Sequence, residues 1–77
     1  MNKQRRKSLA DLSEKLESIK SELETLAGEE REYYDNMPEN MQGSEKGNAA
    51  DEAANALEEA VSTLDDVLGN VTAAMGE

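Results

Sequence analysis

Residues 50–75 read ADEAANALEEAVSTLDDVLGNVTAAM, a stretch in which apolar and acidic side chains recur on the same seven-residue spacing. With Ala50 at heptad position a, the residues Ala50, Leu57, Leu64 and Val71 occupy a; Ala53, Ala60, Val67 and Ala74 occupy d; and Ala54, Val61, Leu68 and Met75 occupy e. Such a period predicts an α-helix, and an apolar stripe three rows wide suits a helix with more than one neighbour rather than the narrow seam of a two-stranded coiled coil. The acidic pairs Asp51-Glu52, Glu58-Glu59 and Asp65-Asp66 fall at b and c in three successive heptads. They form a carboxylate ridge, repeating about every 10.5 Å, with no Lys, Arg or His after Lys46 to balance it.

Working back from this helix, "NMPENMQGSEKGN", residues 36–48, gathers Pro38, Gly43, Gly47 and three Asn, which is loop chemistry with room for a short helical turn. Upstream, Leu9, Leu16 and Leu23 at a and Leu12, Ile19, Leu26 and Tyr33 at d describe a first helix, interrupted at position a by Glu30. Ser8 with Asp11 reads as its N-cap, and Pro38 stops it near Asp35. The second helix is expected to start from an Asn48 cap, placing Asp51 and Glu52 in its first turn.

These boundaries give a basic tail over 1–7, a helix over 9–35, a loop over 36–48 and a helix over 49–75. Each helix has 27 residues, or about 40 Å. Two equal helices joined by one loop make an all-α antiparallel hairpin. With 77 residues and a small core, the hairpin is expected to dimerise into a four-helix bundle, a lone hairpin monomer being the competing form.

Composition narrows the chemistry. Neither Cys nor His occurs, so thiolate and imidazole metal sites, disulfides and histidine-based nucleophile activation are absent from the repertoire. The acidic pairs lack the alternating spacing of a calcium loop, and Gly43 and Gly47 lack the Lys-Ser/Thr ending of a phosphate loop. Glu30 is the one acid on the apolar stripe, and it reads as a helix end opening to water rather than an active carboxyl. The expectation is a protein that is not an enzyme and carries no cofactor.

Net charge is −10, and Lys3, Arg5, Arg6 and Lys7 supply half of the eight bases, which leaves −14 on residues 8–77. No run of about 18 apolar residues is present to span a membrane. A cytoplasmic location is expected. A ridge of carboxylates can imitate the phosphate run of a nucleic acid, which presents one charge per about 1.7 Å, and so occupy a basic groove on another protein; direct nucleic-acid binding by that face is not expected.

The start "MNKQRRKSLADL" and the segment "YYDNMPENMQGSE" resemble short acidic helical proteins of phages and prophages of Gram-positive bacteria. That resemblance implies a setting in a host-cell cytosol and a small protein that binds or inhibits a host protein. On this basis the leading expectation is a non-catalytic acidic inhibitor of a basic, nucleic-acid-handling host protein such as a defence nuclease. Its contact residues would be Asp51, Glu52, Glu58, Glu59, Asp65 and Asp66, with Tyr34, Met37 and Met41 as a second patch near the loop, since Tyr and Met are enriched in interfaces. The alternative is a structural helical oligomerisation module whose acidic face is simply solvated.

Overall fold

The computed structural model describes residues 1–76 and is an antiparallel helical hairpin, 58 × 15 × 13 Å. Helix α1 spans Lys3–Asp35, a single turn α2 spans Glu39–Gln42, and α3 spans Glu45–Met75.

Both long helices begin earlier than the sequence patterns suggest. Asn2, not Ser8, caps α1: its side chain accepts from the Arg5 amide at 2.8 Å. Residues 3–7 are therefore the first turn of a helix rather than a tail. Gln4, Arg5, Arg6 and Lys7 are good helix formers, and an Asn cap worth about 1 kcal/mol offsets the cost of cations at the positive end of the dipole. Likewise Ser44, not Asn48, caps α3, accepting from the Gly47 amide at 3.2 Å, while the Asn48 amide already donates to the Ser44 carbonyl. Asp51 and Glu52 consequently lie beyond the first turn.

The end of α1 falls at Asp35, as Pro38 requires. Pro38 then starts α2, its carbonyl accepting from the Met41 and Gln42 amides. The Gln42 side chain donates back to the Tyr34 carbonyl at 3.2 Å, satisfying an acceptor at the C-terminal end of α1 and pinning the turn beneath it. Gly47 is buried where α3 crosses this turn. A Cβ there would lie 2.3 Å from the Gln42 carbonyl oxygen and 2.4 Å from that of Met41, so only glycine permits the approach.

The core is small and built largely from small residues. Ala27 of α1 and Gly47, Ala50, Ala54 and Leu68 of α3 are buried, Ala54 completely. These positions are a and e, and they show which rows form the seam. On α1 the seam is also a and e: Leu9, Ser13, Leu16, Lys20, Leu23, Ala27 and Tyr34 all face inward, fully or in part. The a/d seam expected for α1 is therefore replaced by an a/e seam: small buried residues on it, Ala27 on α1 and, at other levels, Ala50 and Ala54 on α3, let the backbones approach, where the larger d side chains would hold them apart.

The d row of α1 is left outside, and that of α3 in part. Leu12, Ile19, Leu26 and Tyr33 are 50, 46, 52 and 46 % exposed, and Val67 of α3 is 38 % exposed. In an antiparallel pair facing through a and e, the d rows of both helices lie on one side of the hairpin and the b rows on the other. The molecule thus has an open apolar side and a polar side. Tyr33, at d in the expected seam, lies on the open side, and Tyr34, expected in the loop patch, turns half-buried toward the seam.

Candidate interaction surfaces

The polar side is organised by Arg31. Its guanidinium donates from Nη1 to Asp51 Oδ1 at 2.8 Å and from Nη2 to Asn55 Oδ1 at 2.8 Å and Glu58 Oε1 at 2.9 Å. A planar fork with five N–H donors can serve three acceptors spread over two turns of a facing helix in this way. Its cation also lies over the Tyr34 ring, 5.6 Å from the centroid. The hydrogen bonds to Asp51 first, and to Glu58 second, raise the Arg31 pKa above its already high ordinary value.

Three turns further along, Lys20 Nζ reaches Asp65 Oδ1 at 2.5 Å and Glu24 at 3.6 Å. Its pKa is raised, chiefly by the hydrogen bond to Asp65. All these groups are partly exposed, so solvent screens their attraction and they act more as a register lock than as a large source of stability.

The carboxylate ridge is thereby divided lengthwise. Its b row, Asp51, Glu58 and Asp65, turns toward α1 and meets Arg31 and Lys20. Its c row, Glu52, Glu59 and Asp66, is exposed and makes no ion pair among the described residues. The absence of bases within residues 50–75 is thus answered in part by bases on the other helix. Arg31 at b and Lys20 at e of α1 carry a legible signal once the helices are taken as antiparallel, since like rows then share a side.

The loop patch is also rearranged. Met37 and Met41 line a shallow depression of about 360 Å³ together with Tyr33, Asn36, Pro38 and Lys46. Tyr34 is not part of it, its ring lying under Arg31. Lys46 sits 6.0 Å from the Tyr33 centroid and closes one wall.

On the open side, Ile19, Leu23 and Leu26, with Glu22 and Thr25, border a depression of about 480 Å³. Periodicity calls for an apolar row beyond the seam, but which row is left open follows only from the a/e packing.

No group of three metal-ligating side chains comes together among the described residues, and none of their helices is long and apolar enough to cross a membrane. No protein-family model, curated protein or solved structure matches the chain.

Proposed function

We propose that this protein is a non-catalytic helical interaction module that works as a homodimeric four-helix bundle. The observation carrying this reading is the row Leu12, Ile19, Leu26 and Tyr33, four large apolar side chains about half exposed along one side of the hairpin. An apolar strip running most of the length of a monomer is what a binding surface leaves open. Sedimentation equilibrium over a range of concentrations tests it, with a mass twice 8.4 kDa expected. Because each copy carries −10, the dimer tightens as salt screens the repulsion. A single 8.4 kDa species at tens of micromolar and high salt refutes it.

A second reading rests on the c row. Glu52, Glu59 and Asp66 remain free to engage a basic groove, which keeps the acidic phage-type inhibitor of a nucleic-acid-handling host protein in view, on a narrower footing than six acids. Its test is competition with a DNA duplex for a purified basic nuclease at low and high salt. The variant Glu52→Gln, Glu59→Gln, Asp66→Asn loses competition if the row acts as a phosphate mimic. Undiminished competition by the variant excludes that role.

A further inference from the structure

We infer that the second copy docks on the open side with its loop at the same end, so that α1 of each protomer lies on α3 of its partner. This rests on the dimeric reading above and specifies its geometry. Arg31 stands level with Asn55, and Lys20 with Asp65. By the same register Leu12, Ile19, Leu26 and Tyr33 stand level with Ala74, Val67, Ala60 and Ala53, so each layer of a hairpin offers one large and one smaller d side chain.

Two ways of stacking open sides satisfy two-fold symmetry. With the loops at one end, every large residue of α1 meets the smaller residue of the same layer in the partner's α3. Large residues then meet across the centre of the bundle, and all helix spacings stay even, as interdigitated packing requires. With the loops at opposite ends, α1 lies on α1 and α3 on α3, so Leu12 meets the partner's Tyr33, small meets small, and the spacings become unequal.

Of the electrostatic features, the helix ends favour the same choice. Beside its d row α1 carries Lys15, Glu22 and Glu29, whereas α3 carries Ala49, Ala56, Thr63 and Asn70, which are uncharged. Setting α1 on α3 leaves these charges beside uncharged residues, whereas α1 on α1 sets Glu22 against the partner's Glu22 but Lys15 beside the partner's Glu29 at both ends, so the residues flanking the d row do not separate the two arrangements. The same-end arrangement also places the basic first turns of both α1 helices around the C-terminal ends of α3, whose last turn has no basic residue to offset its negative dipole end.

The footprint is adequate. A side of 58 × 15 Å projects roughly 870 Å², against about 800 Å² per partner in a stable interface.

The chain has no cysteine, so single labelling sites are clean. Asn40→Cys in α2 and Ser8→Cys near the start of α1 both replace exposed residues. Spin labels at either position are expected within roughly 30 Å of one another in the dimer, from two layers about 10 Å apart plus the label arms. A dimer whose label pairs are separated by about 40–50 Å, in keeping with the 58 Å length of the hairpin, overturns the same-end arrangement and leaves dimerisation standing. A monomeric mass with no intermolecular dipolar signal overturns both.

Discussion

Replacing Leu26 by alanine separates association from folding. The Leu26 side chain is 52 % exposed in the hairpin, so about half of its apolar surface is still available to be buried by a partner. Fully burying a leucine is worth about 1.5–3 kcal/mol, and half of that is roughly 1 kcal/mol per copy. Two copies meet in one dimer, giving roughly 2 kcal/mol, or about a 30-fold weaker dissociation constant. When both chains are held monomeric the hairpin itself should lose roughly 1 kcal/mol, the share of this side chain that it already encloses. Leu68→Ala supplies the contrast. Leu68 is 9 % exposed, and its truncation should cost the hairpin about 2–5 kcal/mol through lost burial and the cavity left behind. Sedimentation equilibrium reads the first effect, and urea unfolding followed by circular dichroism reads the second. Equal dissociation constants for Leu26→Ala and the parent chain would refute the placement of the d row in the interface.

Three further outcomes follow from the packing. Gly47→Ala should lower stability by about 1–3 kcal/mol because its Cβ would meet two carbonyl oxygens of the preceding turn, whereas Gly69→Ala, with nothing within 4 Å, should raise it by up to about 1 kcal/mol; urea midpoints moving together would defeat this distinction. The Ser13 hydroxyl is buried on the seam without a hydrogen-bond partner among the described residues, so Ser13→Ala should stabilise by roughly 1 kcal/mol, and a lower melting temperature would count against it. Lys20 keeps its proton above the ordinary 10.5 because Asp65 accepts from it, so its stabilisation is complete below that pH and is lost as pH climbs through the raised value. Thermal melts should therefore show Lys20→Met costing stability at pH 8 and costing less above the raised value; an unchanged difference would argue against the pair.

Periodicity specified the two long helices, their equal lengths and single loop specified the antiparallel pairing, and Pro38 specified the stop at Asp35. The apolar rows repeat every seven residues, and proline forbids the continuation wherever it occurs, so these features are local. The starts were less legible, since Asn2, Ser8, Ser44 and Asn48 are all competent caps and the choice depends on which downstream amide each side chain meets. The role of Gly47 was hidden for a similar reason. Its neighbours in sequence suggest a loop, while its constraint comes from carbonyls that the turn folds back against it.

What only the tertiary structure decided is the rotation of each helix about its own axis. A stripe of a, d and e rows leaves two rows to face the other helix and one to spare, and the one-dimensional pattern does not distinguish a/d from a/e. Small side chains along the seam, Ala27 on α1 and Ala50 and Ala54 on α3, select a/e, and three consequences follow from that rotation. The d row becomes an open apolar side. Asp51, Glu58 and Asp65 swing toward Arg31 and Lys20. Glu52, Glu59 and Asp66 keep the outward face. The heptad sets the angles between rows on one helix, but only packing against a second helix determines which angle points inward.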